Sequence, residues 1–546
     1  MAYRTGHSSC SLPSSWPLVS ACCGSPATSW WRPDVAHVPS LAAVEASVTP
    51  RRSLILAGGG MRVAYQAGVL KALQENGLRF FHADGASGGT INLSMLFSGL
   101  TPDEMCQRWR TLDVKQFASL MPLQDYLLPT DMAAFGDADG VVRKVFPHLG
   151  IDPARIRAAQ GIVGTFNVCN YTRKTNEAVV HTDIDLDLLV AGISLPIFMP
   201  AVRKKGALYL DAVWIKDANL TEAVKRGAEE LWLVWCIGNT GIYRNGFFNQ
   251  YVHMIEMSAA GSLNEELAWI GDLNARIGKG DSPYGQRAPI RLHVIKPEYP
   301  LPLDPDFYLG RIDAATLVDM GYRDAMGYLG SASPDGVALN PEATKMKEPV
   351  AGITFREMMA GGFTLGETDP LRGREKGKAA GTRLAMHATI DIRDIRAFVS
   401  DPQHAGAITG DIDFAPMSMT MPASHGVFKL FAPSGENGLK WMVYELGFRH
   451  QGKPYYLAGK KEVRVGSVFK MWPATTTLYT RLHEGNDASG RVVGAGVLSL
   501  GVGALLKLAS TLHSTNAPTL SQRVGAMAQF GSFFTLELWR SYVLKR

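Results

Sequence analysis

The six cysteines, Cys10, Cys22, Cys23, Cys106, Cys169 and Cys236, are scattered and include no C-x-x-C pair. That argues against a disulfide framework and against a zinc site. No apolar run reaches the eighteen or so residues that a membrane span requires. The nearest, Val492 to Leu506, carries four glycines and ends at Lys507, and reads as buried strand or surface-seeking segment. Charge of one sign is also scarce: 19% of residues are charged and the net charge is only +5, which does not mark a nucleic-acid binder. There is no internal repeat. Residues 1–50 are rich in Ser, Pro and Cys and show no period, basic start or continuous apolar core, so they read as a disordered leader rather than a signal peptide.

What the chain has is length and apolar content: 546 residues, 46% hydrophobic, enough for about three domains. From Ser53 to Leu329, short apolar runs alternate with amphipathic stretches, the pattern of an α/β layered domain. Strands are predicted at Ser53–Ala57, Ile162–Asn170, Glu177–Thr182, Glu230–Cys236 and Arg291–Ile295. Helices are predicted at Val63–Glu75, Gly89–Ser98, Pro102–Arg110, Leu186–Ser194, Leu220–Arg226 and Ala314–Tyr328, and over Phe247–Ile277 with a break near Gly261. Residues 330–349, rich in Gly, Pro, Ser and charge, read as a linker. Residues 350–546 then alternate polar and apolar positions around Gly and Pro turns, as an antiparallel β barrel or sandwich does, and close with a helix-like stretch, Ser521 to Leu544.

Two glycine-rich turns carry the chemistry. After the first apolar run comes Gly58-Gly59-Gly60-Met61-Arg62-Val63. The dinucleotide pattern G-x-G-x-x-G fails at Val63, and no G-K-[ST] follows for a phosphate loop. Gly85-Ala86-Ser87-Gly88-Gly89 then fits G-x-S-x-G, in which a serine stands exposed on a sharp strand-to-helix turn. Downstream, Asp211 ends a short apolar run and is followed by Ala212 and Val213, an amphipathic helix and another strand. Taken singly, Asp211 is a turn or capping residue and Arg62 a solvated first-turn residue.

Together these motifs resemble the patatin-like phospholipases over residues 52–329. Pro196, Phe198 and Pro200 match a segment that precedes the family's aspartate, and Arg311 to Leu329 resembles its closing helix. The resemblance implies a three-layer α/β fold with a mostly parallel central sheet. It implies a lipid ester as substrate, a phospholipid or lysophospholipid, hydrolysed through Ser87 and Asp211 with no histidine between them. The amides of Gly58, Gly59 and Gly60 would form the oxyanion hole and Arg62 would hold their loop. Neither metal nor cofactor is required. The expected setting is cytoplasmic, with peripheral contact at a membrane surface. Two departures stand out: Val63 replaces the glycine that usually ends the first motif, and Ala212-Val213 replaces the G-G/A after the aspartate.

Other readings stay open. A Ser-Asp-His triad could use His253 or His293, which follow Asp211 in order, and a dyad predicts a pH profile without a histidine-like limb between about 6 and 7. A non-catalytic lipid-binding protein is the third reading. Asp183, Asp185 and Asp187 have calcium-loop spacing, but Leu188 and Ser194 stand where the loop needs Gly and Glu. His82 reads as structural. The clusters Arg203-Lys204-Lys205, Arg372–Lys378 and Lys460-Lys461 read as solvated faces, any of which could meet an anionic lipid surface.

Overall fold

The computed structural model describes residues 49–117, 134–308, 312–464, 475–517 and 519–542. Residues 1–48 of the predicted leader, with its three cysteines, and the last residues of the predicted closing helix lie outside them.

The first unit is built on a mixed, mostly parallel sheet. Its strands are β1 (Arg52–Leu56), β2 (His82–Gly85), β3 (Val163–Asn170), β4 (Thr175–Val180), β5 (Val202–Lys204), β6 (Ala207–Asp211), β7 (Glu230–Val234) and β8 (Arg291–Ile295). The order is β5-β6-β3-β2-β1-β7-β8, with β4 also on β3. The pairs from β3 through β8 by way of β1 are parallel, and β4, β5 and β6 add antiparallel pairs.

Both sheet faces are covered, as the unbroken apolar runs of β1 and β7 require. Side chains alternate across a strand. Leu54 and Leu56 therefore join one core with α1 (Ala64–Glu75), α2 (Gly88–Phe97), α3 (Pro102–Thr111) and the helix Ala314–Ser331. Ile55 and Ala57 join another with the helices Leu220–Lys225 and Phe247–Ile277. The result is three layers. The helix Phe247–Ile277 runs unbroken: Gly261 lies in open space and needs no kink.

The structure adds a strand that was not predicted and gives the predicted linker a fixed place. The polar tetrapeptide His82–Gly85 is a fully buried strand, not predicted because its length and polarity hide it. The predicted linker is pinned to the first unit: Val337 bridges Leu292, Met346 N–H donates to Asn239 O (2.8 Å), and Ala343 and Met346 are buried in the second core.

The second unit is a closed antiparallel barrel of eight strands, which decides between barrel and sandwich. They are β9 (Gly352–Leu365), β10 (Arg383–Ile392), β11 (Ala405–Phe414), β12 (Ser418–Pro433), β13 (Leu439–His450), β14 (Lys453–Arg464), β15 (Thr477–Glu484) and β16 (Arg491–Ser499). Closure comes from β9, whose start pairs with β10 and whose end pairs with β16. A short strand, β17 (His513–Thr515), extends β9, and the helix Leu520–Tyr542 packs Phe530 and Phe533 into the barrel core. Val492–Leu506, read as one apolar segment, is divided between β16 and the helix Val502–Thr511.

The Lys460-Lys461 cluster is also corrected. Lys461 shares its parity with Leu457 and Val463, and so points into the barrel. Its Nζ lies 2.8 Å from Glu357 Oε1, and Tyr444 OH donates to Glu357 Oε2 (2.9 Å), so the buried charges are paired and satisfied.

Candidate active site

The two glycine turns meet at the C-terminal ends of β1 and β2. Ser87 takes φ 49°, ψ −129° between β2 and α2, the sharp turn that G-x-S-x-G anticipates. The flanking glycines are needed for close approach. A Cβ on Gly89 would stand 2.1 Å from Leu56 O, and one on Gly88 would stand 2.7 Å from Gly60 O. A Cβ on Gly58 would stand 2.6 Å from Ser87 Cβ. The elbow therefore packs directly on the glycine turn.

That turn is held at both ends by aspartate side chains. Gly58 N–H donates to Asp217 Oδ2 (3.0 Å) and Met61 N–H to Asp304 Oδ1 (3.1 Å). Gly59 and Gly60 adopt φ 153° and 58°, which only glycine accepts readily. Arg62 is buried, not solvated, and its Nε donates to Gly59 O (2.9 Å). The C=O and N–H of one peptide point to opposite sides. Tying back Gly59 O thus turns the Gly60 N–H the other way. Gly58 was expected to lend its amide to an oxyanion, but Asp217 takes it. The Gly59 and Gly60 amides have no partner among the described residues.

Asp211 ends β6. Ser87 Oγ donates to Asp211 Oδ2 at 2.7 Å, across 124 residues of sequence, and both side chains are buried. Val213 N–H donates to Asp211 Oδ1 (2.9 Å) and fixes the carboxylate's orientation. Burial pushes the Asp211 carboxyl up to about 7, offset in part by those two hydrogen bonds. A limb in the histidine range is therefore expected from a carboxylate, so such a limb does not separate dyad from triad. Burial and the Asp211 charge push Asp217 up to about 8. Its Oδ1 is buried without a partner.

Both departures from the family pattern are absorbed. Val63 is buried in the right-handed helical region, and its carbonyl accepts from Asn92 Nδ2 (2.8 Å). Ala212 and Val213 form a short 3-10 turn and neither has a positive φ, so no glycine is demanded there.

Sequence reasoning missed the polar frame behind these turns. Gln66 Nε2 donates to Ala57 O (2.6 Å), Asn92 Nδ2 also reaches Gln66 Oε1 (2.9 Å), and Trp109 Nε1 donates to Asn92 Oδ1 (2.8 Å). Asp84, pushed up to about 8 by burial, accepts from Thr165 and Asn167, and Asn167 also binds Gly85 O. The available signal was polar residues at positions where helical or strand period calls for apolar ones.

The three histidines lie elsewhere. His82 is bonded to Ser53 Oγ (2.7 Å) and Thr165 Oγ1 (2.9 Å), and burial lowers it to about 3. His253 Nδ1 pairs with Glu256 (3.0 Å), and His293 Nδ1 with Tyr328 OH (3.0 Å). Asp185 caps the helix Leu186–Ala191 and, with Asp187, binds Lys204, which accounts for the calcium-like spacing. Among the described residues no group of three metal-binding side chains occurs, and no helix is long and apolar enough to cross a membrane.

Residues 54–224 match the family model described as patatin-like phospholipase. The chain carries a patatin-like phospholipase domain. The match places that domain in the lipid-hydrolase class, and the barrel lies outside it. No curated protein matches the chain. Among solved structures, the chain is similar to the crystal structure of VipD from Legionella pneumophila, with 13% identity over 52% of this chain and 67% of that one and a TM-score of 0.29. In the patatin-like domain, the matched span takes in the glycine turn, the elbow, Asp211 and Asp217.

Proposed function

We propose that the protein is a serine acyl hydrolase that cleaves lipid esters, phospholipids or lysophospholipids, through a Ser87–Asp211 dyad. Asp211 accepts the Oγ proton as Ser87 attacks the ester carbonyl. The oxyanion that forms is held by the Gly59 and Gly60 amides, which cost no reorganisation because their loop is already fixed. Collapse expels the alcohol, which takes the proton back from Asp211. Water then enters and attacks the acyl carbon as it gives a proton to Asp211; the acyl–Oγ bond breaks, Asp211 returns the proton to Ser87 Oγ, and the fatty acid leaves. The observation that carries this reading is the 2.7 Å Ser87–Asp211 hydrogen bond at a strained serine, beside two amides that have no partner among the described residues. The lipid substrate follows from the family's description alone. We read residues 51–329 as the unit that holds this chemistry.

A fluorophosphonate should label the wild-type protein and not Ser87→Ala, and Ser87→Ala should lose ester hydrolysis. Asp211→Asn keeps the side chain's shape, and its rate should fall by roughly a hundredfold or more, as expected for loss of a general base. His253→Gln and His293→Gln should cost far less. Labelling that persists in Ser87→Ala would move the nucleophile elsewhere. A wild type that neither labels nor hydrolyses would favour lipid binding without catalysis.

A further inference from the structure

Away from Ser87, at the carboxyl end of β8, a cleft of about 780 Å³ opens between the helix Ala314–Ser331 and the segment 337–347. Small-molecule sites commonly measure ~300–1,000 Å³. Its position suits a ligand in two ways. Open α/β sheets bind ligands outside the carboxyl ends of their strands, and sites favour the junction between units. The cleft lies at that junction, because Glu298 and Asp324 in its wall hold Arg393 of the barrel unit. Ser87, Asp211 and the glycine turn contribute nothing to its lining.

Val294, Pro297, Val337 and Ala343 give the cleft apolar lining. Its charges are unevenly matched. Each acid that lines it already has a cation. Glu298 Oε1 accepts from Lys347 Nζ (2.6 Å) and Glu298 Oε2 from Arg393 (3.0 Å). Asp324 Oδ1 accepts from Arg393 (3.1 Å), and Glu342 Oε1 from Lys345 Nζ (3.0 Å).

Two lining cations are left under-used. Lys296 makes no ion pair among the described residues, and its Nζ donates to the backbone oxygen of Lys345. Burial holds its ammonium below the usual lysine range, against the pull of Glu342. Arg323 reaches only the adjacent Asp324, through Nε at 3.4 Å, and its Nη2 is buried without a partner. A buried donor with no acceptor is costly. A guanidinium is also shaped to take a carboxylate or phosphate through two parallel N–H bonds.

We propose that this cleft binds a small amphiphilic anion, with its carboxylate or phosphate group on Arg323 and Lys296 and its apolar body along Val294, Pro297 and Val337. The site is independent of the chemistry at Ser87. A neutral apolar molecule would leave both cations unmatched, and a cationic one would be repelled by them. The bound anion lies against the segment 337–347 and against the residues that hold Arg393. Its binding should therefore tighten the join between the two units.

Hexanoate and hexyl phosphate are the probes, titrated calorimetrically into the full chain, with hexanol and inorganic phosphate as controls. At least one of the two amphiphiles should bind, and the tighter of them identifies the head group as carboxylate or phosphate. Hexanol lacks the charge and inorganic phosphate lacks the apolar body, so each should bind at least about tenfold more weakly. With the amphiphile at ten times its dissociation constant, trypsin cleavage at Lys345 and Lys347 should slow about tenfold. Arg323→Gln with Lys296→Gln should weaken binding at least about tenfold. Lys296 also holds the segment through Lys345 O, so protection is compared with and without the anion in the same variant. Should the double variant misfold, Ala338→Trp carries the test: this lining residue is exposed, and an indole there fills the cleft and should abolish binding. The proposal is overturned if neither amphiphile binds, if hexanol binds as tightly as hexanoate, or if binding leaves Lys345 and Lys347 unprotected. Wild-type affinity in either variant would place the anion elsewhere on the protein and overturn it equally.

Discussion

At the scale of single residues, the site couples two buried carboxyls of different duty. Asp211 faces Ser87, and Asp217 holds Gly58 N–H with its second oxygen unpaired. They repel each other in a low dielectric, so Asp211, the first to ionise, keeps Asp217 neutral. The proposed base must be ionised, so the rate should rise with pH through about 7, the value to which burial pushes Asp211. Ionisation of Asp217 near 8 then sets a second negative charge beside the developing oxyanion and should lower the rate again. Asp217→Asn keeps an acceptor for Gly58 and cannot ionise, so it should retain the acid limb and lose the alkaline one. An unchanged alkaline limb in the pH–rate profile of Asp217→Asn would show that the limb belongs to another group. Stability carries its own sign. A carboxyl raised by burial holds a proton in the native state that the unfolded chain gives up at about pH 4. Stability from Asp84, Asp211 and Asp217 is therefore full below about pH 4, and is lost as pH rises towards 8. Thermal melts should show Asp217→Asn gaining more over wild type at pH 8 than at pH 5.

Among the elements, α1 and the helix Ala314–Ser331 matter most to the glycine turn, because α1 follows directly from it. The two helices approach so closely that a Cβ on Gly68 would stand 1.9 Å from Val318 O, and one on Gly321 would stand 1.9 Å from Tyr65 O. Backbone cannot yield there, so Gly321→Ala should push α1 away at a cost of about 1–3 kcal/mol. A lower melting temperature and slower fluorophosphonate labelling of Ser87 should appear together; normal labelling in a destabilised variant would uncouple α1 from the site. Elements with a clear period were legible from sequence. Phe247–Ile277 and Arg291–Ile295 have the bounds their patterns suggest, because amphipathic or buried apolar runs report their own burial. β2 was not, since His82 and Asp84 look like loop residues until Ser53, Thr165 and Asn167, far away in sequence, satisfy them. Ser87 and Arg62 were legible because local glycine turns mark them, and Asp211 because it ends a short apolar run ahead of an amphipathic helix and another strand. Asp217 and Asp304 were not, since only the folded chain brings them onto Gly58 and Met61. Lys461 was misread for a related reason: a lysine reads as surface until strand parity turns it towards Glu357.

Across the whole molecule, the barrel and the α/β unit touch through charge more than through a shared core. Arg393, between β10 and the helix Ile395–Ser400, binds Glu298 Oε2 (3.0 Å) and Asp324 Oδ1 (3.1 Å) of the first unit. Arg449 approaches Glu75 (3.6 Å), and Tyr322 stacks near His425. The segment between the units lies under the same lock, since Lys347 N–H donates to Glu298 O (2.9 Å) and its Nζ to Glu298 Oε1 (2.6 Å). Lys345 and Lys347 are exposed, so trypsin could reach their side chains. Cleavage requires several residues of backbone to leave their partners, and here Met346 and Lys347 N–H are both bonded and Met346 is buried. Glycine and proline content alone predicts fast nicking of residues 330–349, whereas the packing predicts slow nicking at Lys345 and Lys347 in the intact protein. Arg393→Ala removes one hold on Glu298 and leaves Asp324 without this partner, so trypsin should cut there several-fold faster, with rates following the opening equilibrium. The two fragments should stay folded, because each unit has its own core. Cleavage as fast in the wild type as in Arg393→Ala would mean that the Arg393 contacts do not hold the segment. Fragments that unfold once separated would mean that the barrel and the α/β unit depend on each other for stability.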